Sequence, residues 1–381
     1  MRCTSFAAVV CTLFLCPAHA GPKSELIRQR LSEQIEKHEI PGAVALVAAR
    51  DSVVSLDAAG SADPAGSRPM TTDAIFWIAS MTKPVTATAV MMMNEQGKLS
   101  IEDPVSKYIP GLANLKMADG TPGQVTLRHM LTHTSGMGEP TDDEAIAAKT
   151  LADLIPAIAT KPLLFKPGSE WKYCQSGINA LARVVEIVSG ESFQVFLLKH
   201  LFGPLKMNDT TFYLSQKQMP RLVTPVKRDG EKLVEASIGL LHGKPPTSRD
   251  RYPAANGGLF STAPDYARFA RMILNDGTLD GKRYLSAESV SLMTTVQTGD
   301  LKTGFTPGNG WGLGWCIVRE PQGVTAMLAP GTFGHGGAYG TQAWIDRQKG
   351  VVLIMMVQRA DFKNADNTEV RLAFQEAAVG K

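Results

Sequence analysis

The sequence predicts an α/β fold of the α+β type, with one antiparallel sheet assembled from both ends of the chain. Three observations predict it. Short apolar, strand-like runs occur near the start, at 43–49 and 53–59, and again near the end, at 312–318, 342–345 and 351–357. Helical patterns and loops dominate between 80 and 287. No repeat or low-complexity block interrupts the 381 residues, a length too great for one simple core. The expectation is a sheet subdomain from 21–79 and 288–381, with helices packed on it and an all-helical insertion at 80–287. A binding groove would lie between the two parts.

The elements follow in order. A basic start, an apolar run from Phe6 to Cys16 and the ending Ala18-His19-Ala20 make a secretory signal peptide, 1–20, cleaved after Ala20. The run is shorter than the ~20 residues needed to span a bilayer, so no stable membrane anchor is expected. The mature chain is then periplasmic or extracellular. Residues 24–38 form an amphipathic helix with Leu26, Ile27, Leu31 and Ile35 on one stripe, ended by Pro41-Gly42. The two runs around Arg50-Asp51-Ser52 have hairpin spacing. Further helices are read at 125–131, 176–188, 193–201, 266–274 and 367–379, and Asn256-Gly257-Gly258 is a tight loop.

Composition excludes some classes. With 39 basic and 36 acidic residues the formal net charge is only +3, and no basic run appears, so no nucleic acid is called for. Of five cysteines, three leave with the leader; Cys174 and Cys316, far apart, do not make a disulfide framework. His129 and His133 have the i,i+4 spacing of metal ligands, but no metal site is assigned to them, and no cofactor is expected.

The chemistry centres on 76–97. An apolar run ends at Ser80, and from Val85 to Met93 nearly every residue is Val, Ala, Thr or Met before Gly97 stops the segment. A helix without a polar face is normally buried. Ser80 and Lys83, three apart, share a helix face, and a helix N-terminus favours a developing oxyanion. A desolvated lysine has a lowered pKa and can accept the serine proton. A bare Ser-x-x-Lys is usually only a cap followed by a solvated lysine, so the rest of the chain must supply partners. Tyr173-Cys174-Gln175 precedes a helix; a tyrosine of depressed pKa beside a lysine can be a general base, and an amide can bind substrate. His335-Gly336-Gly337 precedes a strand, and its glycines would let a substrate backbone approach. The competing Lys302-Thr303-Gly304 reads as a surface loop.

Together these motifs resemble the serine β-lactamase and penicillin-binding-protein family, in particular its class C β-lactamase and esterase-like branch. Ser80-Met81-Thr82-Lys83 is similar to its Ser-x-x-Lys, Tyr173-Cys174-Gln175 stands in the place of Tyr-x-Asn, and His335-Gly336-Gly337 in that of Lys-Thr-Gly. Supporting stretches fall in the expected order: Leu131-Thr132-His133-Thr134-Ser135-Gly136, Pro167-Gly168, Asn256-Gly257-Gly258 and Trp311-Gly312-Leu313-Gly314-Trp315. The resemblance implies a β-lactamase/transpeptidase-like fold. It also implies an acyl-enzyme on Ser80 with Lys83 as proton partner, Tyr173 as base and shuttle, and the Ser80 N–H in the oxyanion hole. Gln175, His335, Gly336 and Gly337 would bind substrate: an ester, a β-lactam or a cell-wall peptide. Histidine in place of lysine gives weaker attraction for a substrate carboxylate, so ester hydrolysis is favoured, with any lactam activity rising at mildly acidic pH as His335 charges. The alternatives are a β-lactamase, a D-Ala-D-Ala carboxypeptidase or D-aminopeptidase, and a non-catalytic peptidoglycan or acyl-ligand binder. An α/β-hydrolase is excluded, since no serine lies in Gly-x-Ser-x-Gly.

Overall fold

Residues 22–380 are described in a computed structural model, so the leader pattern ending at Ala20 lies outside the described residues. Strands β1 (Gly42–Ala49) and β2 (Val53–Gly60) come from the start of the chain. Strands β3 (Asn309–Trp311), β4 (Cys316–Val318), β5 (Phe333–Gly336), β6 (Gln342–Asp346) and β7 (Val351–Met356) come from its end. They form one seven-stranded sheet in the order β2-β1-β7-β6-β5-β4-β3, antiparallel throughout.

The strands are apolar on both faces because both faces are covered. Ala43, Ala45 and Val47 of β1 join Leu353 and Met355 of β7 in one core. Helix α1 (Pro22–Glu36) adds Ile27 and Leu31 to it, and the last helix, α6 (Glu369–Val379), adds Val370 and Phe374. The alternate residues Val44, Leu46, Ala48, Val352 and Ile354 face a larger core on the other side. That core contains α2 (Thr82–Glu95), α3 (Leu127–Leu131), α4 (Gln175–Ser189) and α5 (Ala263–Leu274). The period-2 alternation thus divides the sheet's side chains between two helical layers.

Four expectations need correction. The section between β2 and β3 is not all-helical: it carries two-stranded ribbons, Phe76–Trp77 with Phe260–Ser261, Val226–Asp229 with Lys232–Glu235, and Thr278–Leu279 with Lys282–Arg283. The run 312–318 is not one strand but the turn and second arm of the β3–β4 hairpin, with Gly314 at φ 77°. Leu313 and Trp315 of the turn are apolar because they pack in the core that holds α2, while Cys316 and Val318 of β4 face the other core. His335-Gly336, expected to lie before a strand, ends strand β5, Phe-Gly-His-Gly, whose glycines and histidine have little β-propensity. The helix at 193–201 runs only to Leu197 before a π turn over Leu198–Phe202.

Gly314 fixes the height of α2. Its positive φ suits glycine, and a Cβ there would collide with that of Ala87. Gly314→Val is expected to destabilise the protein by roughly 2–4 kcal/mol in urea titration, strain and overpacking together; a loss below 1 kcal/mol, roughly the surface-substitution level, would show that the contact is soft.

Candidate active site

Ser80 sits on a strained turn. Ala79 has φ 45°, and Ala79–Met81 form a 3-10 turn before α2 starts at Thr82, two residues later than the sequence suggests. A left-handed alanine costs about 1–2 kcal/mol and persists only where neighbours over-determine it. They do so here. Ile78 N–H donates to Leu259 O at 3.0 Å, Thr82 Oγ1 donates to Ala79 O at 2.7 Å, and Leu259 N–H donates back to Thr82 Oγ1 at 3.2 Å.

Lys83, one turn on, is wholly buried. Its Nζ donates to Ser80 Oγ at 3.2 Å and to the carbonyl of Asn256 at 2.6 Å. Thr86, a turn further, donates to the Ala255 carbonyl at 2.7 Å. Thr82, Lys83 and Thr86 therefore make a polar seam down an otherwise apolar helix, and the loop at 254–259 is zipped along it. Loss of water pulls the Lys83 ammonium down to about 7, with the more distant Glu139 and Cys174 opposing the shift.

Tyr173 is clasped by aromatic rings, with His133 at 4.5 Å, Phe305 edge-on at 4.9 Å and Trp311 at 5.9 Å between centroids. The Lys83 Nζ lies 4.5 Å from its ring centre. Burial raises the phenol well above the ordinary tyrosine range, and a hydrogen bond with Ser80 opposes this only in part. The expectation of a depressed tyrosine pKa is thus reversed: Tyr173 holds its proton and Lys83 is the group poised to lose one.

His335, on β5, is buried, with Nδ1 2.6 Å from Gly336 O and Nε2 3.3 Å from Tyr173 Oη. The carbonyl can only accept, so Nδ1 carries the proton and Nε2 accepts from the tyrosine. Burial, reinforced by the charge on Lys83, holds the imidazole down to about 3. His335 therefore does not charge at mildly acidic pH, and the expected acid-side rise in lactam turnover is withdrawn. His133, buried beside Tyr173, accepts from Cys174 N–H at 3.1 Å and is likewise held well below the ordinary histidine range by burial.

Ser80, Tyr173, Gln175, His335, Gly336 and Gly337 come together around a cleft of about 410 Å³, with Lys83 directly beneath. Gln175 opens α4; its Oε1 accepts from Asn256 Nδ2 at 3.0 Å. The two glycines on the cleft wall also make room for the protein's own atoms. A Cβ on Gly336 would overlap Asp366 Oδ1, and one on Gly337 would reach the Ile78 carbonyl at 2.6 Å, so each lets the protein's own chain pass closely. Sequence reasoning missed Phe305, Lys363, Asn364 and Asp366 on the cleft wall, and the carbonyl of Asn256 under Lys83. The threonines at 82 and 86, polar residues four apart in an apolar helix, were the one available signal of that seam. Cys174 and Cys316 are both free and buried; burial pushes the Cys174 thiol up to about 12, far from reactive thiolate.

A family model described as Beta-lactamase matches residues 27–377. Esterase EstB of Burkholderia gladioli is 28% identical over 362 residues, covering 86% of this chain and 88% of that protein. Penicillin-binding protein 4 of Amycolatopsis lactamdurans is 32% identical over 318 residues, covering 83% and 79%. Among solved structures, EstCE1, a hydrolase with promiscuous acyltransferase activity, superposes with a TM-score of 0.81 at 24% identity, covering 94% of this chain and 98% of that one.

The buried lysine leaves a thermodynamic signature. It loses its proton near pH 7 when folded but keeps it to 10.5 when unfolded, so the unfolded state binds more protons across that window and stability rises with pH there. Urea titrations from pH 7 to about 10 are expected to show a steeper rise in the wild type than in Lys83→Met; parallel slopes would place the lysine in water.

Proposed function

The chain belongs to the β-lactamase family and is a serine hydrolase of it, and from there we propose that it cleaves esters or amides through an acyl-enzyme on Ser80, with uncharged esters preferred. One observation carries this reading. A lysine brought to about 7 by burial lies 3.2 Å from Ser80 Oγ, which is also bonded to a tyrosine that keeps its proton.

Neutral Lys83 takes the Ser80 proton as Oγ attacks the acyl carbonyl. The oxyanion is stabilised by the Ser80 N–H and by that of Ala338, which follows Gly337 on the cleft wall and has no other backbone acceptor among the described residues. Tyr173 then gives its proton to the departing oxygen or nitrogen and is reprotonated at the expense of the lysine. In net, Ser80 has lost one proton and the leaving group has gained one, with Lys83 and Tyr173 returned to their starting states. Water, activated by the same pair, hydrolyses the acyl-enzyme in the reverse sense. His335 holds the phenol by accepting from it and offers no cation to a substrate carboxylate. That neutrality supports ester over β-lactam turnover; the relatives include proteins named as an esterase and as a penicillin-binding protein. On the leader pattern ending at Ala20 we place the activity in the periplasm or outside the cell.

With p-nitrophenyl acetate, kcat/KM is expected to climb tenfold per pH unit below about 7 and level off above it, as Lys83 loses its proton. Tyr173→Phe should lower the plateau by about 10²–10⁴, and Ser80→Ala should abolish both turnover and fluorophosphonate labelling. A labelled Ser80→Ala protein would move the nucleophile elsewhere, and an unlabelled wild type would favour a non-catalytic binder. Faster turnover of nitrocefin than of p-nitrophenyl acetate would make it a β-lactamase.

A further inference from the structure

Asp366 is an acid in the wrong place for a site that binds anions. It lines the cleft with Ser80 and Tyr173, on the segment between β7 and α6. The position is built, not accidental. Oδ1 accepts from Gln342 Nε2 at 3.1 Å; Gln342 is buried on β6 and itself accepts from Trp344 Nε1 at 2.9 Å. Gly336 has no side chain because Oδ1 fills that space. Arg371 Nη1 donates to the Asp366 backbone carbonyl at 2.6 Å, while its guanidinium lies 4.2 Å over the Trp344 ring. Asn364 Nδ2 donates to Phe305 O at 2.7 Å and fastens the segment to the opposite loop.

The carboxylate has no ion-pair partner among the described residues, and Oδ2 takes no hydrogen bond there. Arg371 gives Nε to Gln375 and Nη1 to the Asp366 carbonyl, and its Nη2 has no partner among the described residues. Its charge opposes the upward shift that burial imposes on the Asp366 carboxyl without contacting either carboxylate oxygen. The other charged groups around the cleft are Lys83, beneath Ser80, exposed Lys363 at the mouth, and Arg371, buried behind Asp366. Asp366 is half-buried and turns to the cleft a carboxylate without an ion-pair contact, with Arg371 on its far side, so it repels a second anion there, whereas the exposed lysine is screened by water and salt. The negative charge of Asp366 also reaches the Tyr173 phenol, the group that in the proposed chemistry hands its proton to the leaving group.

Resting on the proposed ester chemistry, we propose that Asp366 is a specificity-determining residue that excludes leaving groups carrying a negative charge and accepts neutral or cationic ones. The device is repulsive: it selects by what it rejects.

Three acetate esters test it, with phenol leaving groups bearing a para carboxylate, carboxamide or trimethylammonium. Comparing Asp366→Asn with wild type cancels their intrinsic reactivities, and the amide keeps the Gln342 contact. The variant is expected to raise kcat/KM for the carboxylate ester about tenfold relative to the carboxamide ester, and to lower that for the trimethylammonium ester relative to it. Ratios unmoved within twofold overturn the proposal. Should the variant fail to fold, wild-type rates normalised to hydroxide-catalysed rates decide. Cation over neutral over anion supports the assignment, and the reverse order overturns it. Failure of the underlying reading looks different: the carboxamide ester would not be turned over and Ser80 would not label.

Discussion

A lysine denied water, and answered by a carbonyl in place of a carboxylate, is the interaction on which the rest depends. Lys83 is fully buried, yet its close partners are the Asn256 carbonyl and Ser80 Oγ, both neutral. A carboxylate in either place would stabilise the ammonium and remove the base. The nearest carboxylate with influence, Glu139, is occupied in accepting from Gln175 N–H, Ser176 N–H and Ser176 Oγ at the head of α4. It caps that helix and leaves the lysine only a distant field. Ribbon, loop and helix start around Ser80 hold a backbone carbonyl where a charged side chain must not be.

The neutral histidine belongs to the same constraint. Two ammonium groups in so dry a space would each depress the other, and the field of Lys83 already helps hold His335 uncharged. An imidazole with Nδ1–H committed to Gly336 O offers Tyr173 an acceptor without adding charge. The site therefore contains an amine, a phenol and an imidazole whose protonation states differ because their surroundings differ, although all three are buried.

What was legible in the sequence was what chemistry confines to a short stretch. Ser80 and Lys83 stand one turn apart in a segment too apolar to be a surface helix, and Tyr173 and His335 follow in motif order, so their meeting was foreseeable. The protonation of Tyr173 was not, because it depends on the rings of His133, Phe305 and Trp311, which come from three separate parts of the chain. Asp366 was invisible for a related reason: it sits in a polar loop, and only the folded chain lays its carboxylate on Gly336. Strand β5 shows the limit for secondary structure. Its glycines and histidine have little strand preference, and its conformation is imposed by β4 and β6 on either side. The hairpin of β1 and β2, by contrast, carried its own signal in two short apolar runs spaced around the polar turn Arg50-Asp51-Ser52.

The strand order has a consequence for how the molecule comes into being. Strand β1 pairs from Val44 with Met356 to Ala49 with Val351, so the first hairpin is sewn to the last strand rather than to anything nearby in sequence. A two-stranded hairpin alone is marginal in water. Until residue 356 has been made, β1 has one bare edge, and the side chains of β7 that complete the core on each of its faces are missing. Loop closure across some three hundred residues is slow, and sheets of such high contact order fold late. The sheet is thus obliged to remain incomplete, with a strand edge exposed, until nearly the end of synthesis.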